Sequence, residues 1–349
     1  MGNKLSKRIF DRRLSLKRTR VQLEKLEDRI LMSADPLLQL KTSQDQPLTS
    51  ENVPFDLLQI QAGDKSFNLD SLIVNNKATV IDLSKGASQN SRLTSINGDL
   101  MQLSSALGSL VLDLGANANN VTLTQPEAGM LRISGDNITD LLFAVPTELV
   151  GLRGGSGVDK VLLENLDLGL SDLVVEAESI ELDAGFTLNT QGNAVLKGYS
   201  SLSSKSEEGM SIDVDGFVGF YGSAHIGGQL ILDAQVAVDA QIRRSGVEGS
   251  VDLDLSSSAV AEIGQYATIA ASSIKLLAST SNDIMVNSQG GMGTVLLDVT
   301  QNTRASVAPG ATLDLAVAGT TPEMALLVEA VDRSRISSML NTADSLVTA

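Results

Sequence analysis

Cysteine and tryptophan are absent from the 349 residues, histidine occurs once, and the aromatic residues besides it are 3 Tyr and 7 Phe. Without cysteine the chain forms no disulfide, no thiolate metal site and no Cys nucleophile. That composition also suits a polypeptide that crosses membranes unfolded. The one histidine, His225, lies in Gly222-Ser223-Ala224-His225-Ile226-Gly227-Gly228. A single imidazole cannot build a His-ligated zinc site without distant carboxylates, and no G-x-S-x-G motif supplies the activated serine of a triad. His225 therefore reads as a surface turn residue.

Long apolar runs are lacking too. Stretches such as Leu141-Leu142-Phe143-Ala144-Val145 fall far short of the roughly 18 residues that span a bilayer as a helix. The basic start is not followed by the apolar core of a Sec signal peptide. The expectation is a soluble or peripherally attached protein. With aromatics scarce, the 42% hydrophobic content is carried by Leu, Val, Ile and Ala. Small aliphatic side chains suit an elongated stack of thin layers better than a sandwich with large aromatic anchors.

The net charge of -16 hides a division within the chain. Residues 1–35 hold 10 Lys and Arg against 5 Asp and Glu, a balance of +5, and the remainder holds 16 against 37, or -21. An acidic body of that kind repels phosphate backbones and anionic lipid, so nucleic acid is not an expected partner.

In the basic segment Ile9, Leu16, Leu23 and Ile30 recur at seven-residue spacing, joined by Leu5, Leu26 and Leu31. This predicts a cationic N-terminal α-helix with one apolar stripe, ending where Pro36 biases Asp35 away from helical geometry. Residues 37–55, with Pro47 and Pro54, read as a linker. From 56 to 320 short segments alternate aliphatic residues with Asp, Thr or Glu, as in Val251-Asp252-Leu253-Asp254-Leu255 and Val295-Leu296-Leu297-Asp298-Val299. Period-two alternation predicts strands with one buried face.

Residues 251–269 align without a gap on 295–313. Val251, Leu253, Asp254, Ala261, Ala267 and Thr268 recur as Val295, Leu297, Asp298, Ala305, Ala311 and Thr312. The 44-residue offset suggests two coils of about 22 residues in a parallel β-helix, or β-solenoid. Such spacing is also compatible with an antiparallel sandwich. Beyond it, Thr321-Pro322-Glu323 marks a helix start, with Leu326, Leu327, Ala330 and Val331 as its apolar face. Residues 321–349 are thus predicted as a C-terminal helix or tail, a candidate cap for the end of the stack.

Three features carry candidate chemistry. Gly154-Gly155-Ser156-Gly157-Val158-Asp159-Lys160-Val161-Leu162 fits the calcium nonapeptide pattern, making Asp159 a candidate metal ligand. One copy supplies only part of a calcium shell, so the alternative is a glycine turn leading into a strand. Asp213, Asp215, Asp252 and Asp254 put paired carboxylates on an exposed face, where they keep a solenoid wet or, in an enzyme, do acid and base work. Met1-Gly2-Asn3-Lys4-Leu5-Ser6 matches the myristoylation pattern, with Lys7, Arg8, Arg12 and Arg13 as its polybasic companion.

The stretch Leu26-Glu27-Asp28-Arg29-Ile30-Leu31-Met32-Ser33-Ala34-Asp35-Pro36, behind its basic helix, resembles the LEPR-XLL domain that begins many large surface or secreted repeat proteins of Gram-negative bacteria. Leu26, Glu27, Arg29 and Leu31 keep the pattern and Ser33, Ala34, Asp35 and Pro36 match its continuation; Asp28 and Met32 depart from it. Val251–Ala278 and Leu173–Thr190 are similar to the adhesin-like repeats of such proteins. The resemblance implies non-Sec export through a secretion machinery engaging residues 1–36, an extracellular or cell-surface location, and other surface chains or glycans as partners. It also implies relatives much longer than this chain, which would then be a short paralogue or the start of a split gene. The resulting expectation is a non-enzymatic structural or adhesin-like protein with no cofactor other than candidate calcium. A β-helix polysaccharide-degrading enzyme and a myristoylated peripheral membrane protein are the alternatives.

Overall fold

Alternation of residue type becomes alternation of environment: Val251, Leu253 and Leu255 are buried, whereas Asp252 and Asp254 between them are exposed. The computed structural model describes residues 61–348 except 63–64, 67–68, 76, 86–92, 98–99, 104–106, 118, 139, 156, 208, 246–250, 290–293, 316–324 and 342–345. The basic segment, its predicted helix, the targeting motif from Leu26 to Pro36 and the linker lie outside the described residues.

Strands β1 (Gln61–Ala62) and β2 (Lys65–Ser66) precede a six-residue helix, α1 (Leu69–Val74). Next come β3 (Thr79–Asp82), β4 (Leu93–Asn97), β5 (Leu100–Leu103) and β6 (Ser109–Asp113). The chain continues through β7 (Asn119–Glu127), β8 (Met130–Gly135), β9 (Leu141–Ala144) and β10 (Leu149–Arg153). Short strands follow: β11 (Asp159–Glu164), β12 (Leu166–Asp167), β13 (Asp172–Ala177), β14 (Ser179–Leu182) and β15 (Thr187–Thr190). Long ones come after them: β16 (Ala194–Ser206), β17 (Met210–Phe220), β18 (Ser223–Ser245), β19 (Val251–Ile263), β20 (Thr268–Gln289) and β21 (Thr294–Val307). Then come β22 (Thr312–Leu315), β23 (Leu326–Asn341) and β24 (Leu346–Thr348).

The fold is mainly β and built on large parallel sheets. β3, β6, β10, β13, β16, β18, β20 and β23 pair in that order, all parallel. β7, β11, β14, β17, β19, β21 and β24 form the parallel part of a second sheet. Its N-terminal end is closed by antiparallel β8 and β9, with the β4–β5 hairpin beyond them. A shorter ladder links β12, β15, the first residues of β18 and β20, and β22. From β10 onward the chain goes from the first sheet to the second, touches the short ladder, and returns one strand further along the first.

This register stacks like on like. The inward column Leu112, Leu152, Val175, Leu196, Leu232 and Leu276 runs across six strands of the first sheet. Opposite it stands Val121, Val161, Ile180, Val218 and Ala261. These residues belong to one buried aliphatic cluster. Burying such a side chain stabilises by about 1.5–3 kcal/mol, and each layer here is buried by its neighbours in the stack.

Three expectations are corrected. The 44-residue offset is one circuit, because Val251 pairs directly with Val295 and Thr268 with Thr312. Circuits of 21 residues do occur earlier, between β13 and β16, where strands are only four to six residues long. The C-terminal helix is instead a strand. Leu326, Leu327, Ala330 and Val331 lie on β23, which pairs with β20 over sixteen residues; a free β20 edge offers a complete hydrogen-bond ladder, and β-branched Val328, Val331 and Ile336 suit it. His225 lies on strand β18, exposed, beside Asn189 and Ala270 rather than in a turn.

Candidate functional site: a charged ladder beside a glycine turn

The same register that stacks leucines inside stacks charges outside. Asp82, Asp113, Arg153, Glu176, Lys197 and Asp233 occupy one outward column of the first sheet. Neighbouring strands lie about 4.8 Å apart, so consecutive members can touch. Arg153 contacts Asp113 through Nη2, and Lys197 Nζ lies 2.9 Å from Glu176 Oε1.

Helix α1 adds a third carboxylate. Leu69 is buried against the outward Val111 and Val174, which tethers the helix to the sheet. It can approach because position 151 is glycine: a Cβ there would lie 2.9 Å from Leu69 Cδ2. Asp70, in the first turn of α1, then reaches Arg153 Nη1 at 2.7 Å. Arg153 is held charged by two carboxylates against the opposing effect of burial. A cleft of about 380 Å³ opens here, lined by Asp70, Arg153, Glu176, Glu178 and Tyr199 with the Gly154-Gly155 turn.

That turn is the calcium-like motif. Its Asp159 is fully buried. Oδ1 of Asp159 accepts from the Asn119 amide at 3.1 Å and from Asn119 Nδ2 at 2.9 Å, and Oδ2 accepts from the Gly155 amide at 2.8 Å. In a calcium turn the oxygens would converge on the ion; here both carboxylate oxygens face N–H donors. The Asp159 amide in turn donates to Glu178 Oε2 at 2.7 Å. Glycine is required at 155, where a Cβ would overlap the Gly115 carbonyl. No group of three or more His, Asp or Glu able to hold a metal occurs among the described residues.

Burial pushes the Glu178 carboxyl up to about 7, against hydrogen bonds that favour its charge. Asp159 is likewise raised by burial, opposed by Asn119 and Gly155. Farther along the ladder, burial raises Asp233 to about 6, opposed by Gln235 and Lys197. The arrangement therefore offers one carboxyl that exchanges its proton near neutrality beside cations already matched by Asp113, Asp70 and Glu176.

The exposed aspartates divide into two places. Asp254 stands beside Asp298, whereas Asp213 and Asp215 stand beside Ser256 and Ser258. Asp215 is raised by burial and then by Asp213. Sequence reasoning missed Arg153, Glu176, Glu178 and Lys197. The column Asp113, Arg153, Glu176 and Lys197 advances by 40, 23 and 21 residues, so no fixed period reveals it. Comparison of the chain with known protein families, curated proteins and solved structures finds no match.

Proposed function

We propose that this chain is a non-enzymatic exported scaffold of adhesin-like kind, in which residues 1–36 direct secretion and the body is a β-solenoid displayed outside the cell or at its surface. The observation that carries this reading is that ladder charges meet between neighbouring strands, Arg153 with Asp113 and Lys197 with Glu176. Such groups hold successive circuits together. The secretion claim rests on the basic segment and its LEPR-XLL-like ending. Fractionation of the native organism with and without residues 1–36 tests it: the truncated protein stays inside the cell, and its arrival at the surface or in the medium would defeat the export reading.

One observation favours a second, enzymatic reading. Glu178, titrating near 7, shares its cleft with Glu176 and Arg153, and a carboxylic acid kept protonated near neutrality is what a glycosidase uses as general acid. Incubation of the protein with acidic and neutral polysaccharides distinguishes the two readings. Reducing ends that appear with the native chain and vanish with Glu178→Gln would replace the scaffold by a hydrolase.

A further inference from the structure

We propose that two copies of this chain associate through the free edge of β23, pairing antiparallel about Val331. The proposal deepens the scaffold reading by naming a partner, yet it rests on the edge itself and not on export. Among the described residues β23 pairs only with β20, so its other edge presents a row of open amides and carbonyls. Open edges are normally blunted by very short strands, prolines, bulges, charged side chains or a covering element. This one is sixteen residues long and without proline. It keeps large apolar groups in water, with Leu326 40% and Ile336 50% exposed.

Its charges are Glu329, Asp332, Arg333 and Arg335, and one pair of opposite sign, Glu329 and Arg333, is centred on Val331. Glu329, Val331 and Arg333 alternate on the outward face, in line with Leu277, Ser279 and Ser281 of β20. Two copies of β23 related by a two-fold axis through Val331 would set Glu329 of each copy opposite Arg333 of the other. The same register sets Leu326 opposite Ile336 on the inward face, covering both. Opposite-charge and apolar cross-strand pairs stabilise antiparallel strands, and like charges directly opposite destabilise them. The pairing closes on itself, as an isologous dimer must. Among the described residues head-to-tail stacking finds no matching edge, because the other end of the first sheet offers the four-residue β3 and the second sheet ends in antiparallel strands.

Sedimentation and light scattering of the full chain test this over a concentration series. The expected species has twice the 36.6 kDa chain mass. Glu329→Arg and Arg333→Glu, each alone, place like charges across the two-fold and weaken self-association at least about tenfold. Mixed together, the two variants restore a dimer, because each supplies the charge the other lacks. A native chain that is monomeric throughout overturns the proposal. So does a dimer indifferent to both substitutions, or a mixture of the two variants that remains monomeric. Both positions are exposed, so the variants keep the fold, which circular dichroism verifies, and none of these outcomes depends on whether residues 1–36 direct export.

Discussion

The amide of Asp159 donates to the Glu178 carboxylate at 2.7 Å, while the Asp159 carboxylate holds Asn119 on the other side at 2.9 Å. Three adjacent circuits of the chain are thereby tied through one buried aspartate. The consequences of that tie are measurable.

Stability should fall as pH rises toward neutrality. Glu178 has an ordinary value of 4.5 and is raised to about 7 in the folded protein. The folded state therefore holds a proton that the unfolded chain has released. The stabilisation from neutral Glu178 is fully present below about 4.5 and is lost as pH climbs through about 7. Asp233, raised to about 6, acts in the same sense. Thermal melts should show the melting temperature dropping by about 5 °C between pH 5 and pH 8. Glu178→Gln, which keeps an acceptor for the Asp159 amide, should flatten that slope; an unchanged slope would remove Glu178 as its source.

Removing the Asp159 carboxylate should be costly. Asp159→Ala leaves the amides of Asn119 and Gly155 buried without their acceptor, at roughly 2–4 kcal/mol in chemical denaturation. Asp159→Asn retains one acceptor oxygen and should cost less. Calcium should leave the melting temperature of the native chain unchanged, since both oxygens are engaged by N–H groups. A calcium-dependent rise that Asp159→Ala abolishes would give the turn a metal role.

Two glycines should behave differently under the same substitution. Gly155→Ala drives a methyl into the Gly115 carbonyl and should disrupt the turn, destabilising the body by several kcal/mol, on the order of 3. Gly151→Ala meets the end of the Leu69 side chain at 2.9 Å. It should loosen α1 and spare the sheet, seen as faster hydrogen exchange in 69–74 with β10 still protected. Equal effects at both positions would contradict the packing described.

Deleting one circuit should preserve the fold. Removal of residues 251–294 lets Val295 take the place of Val251 and Thr312 that of Thr268, with register intact. Removal of 251–272 alone leaves β17 without β19. The first variant should melt cooperatively, at lower temperature because a stacked layer is gone; the second should lose cooperativity. The reverse order would restore 22 residues as the unit of that region.

Strand identity was legible residue by residue: the alternation in Val251-Asp252-Leu253-Asp254-Leu255 fixes which face is buried, because successive side chains point to opposite faces. The 44-residue offset between 251–269 and 295–313 coincides with the register in which β19 pairs with β21. The circuit size was misread, because sequence similarity carries the offset and not the number of circuits within it. The misread helix at 326–331 has the same source. Its apolar spacing fits a helix face locally, and pairing with β20, remote in sequence, decided for strand.

By itself the sequence determined the division of charge, the absence of thiol chemistry, the period-two pattern and the glycine turn at 154–155. All are local properties, set by residue type or by neighbours a few positions away. Only the tertiary structure decided that Arg153, Glu176 and Lys197 stand in one line, that Asp159 turns inward to Asn119, and that β23 pairs along β20. Each of these depends on circuits of unequal length coming back into register, and that register is set by backbone pairing between strands, which no local pattern encodes.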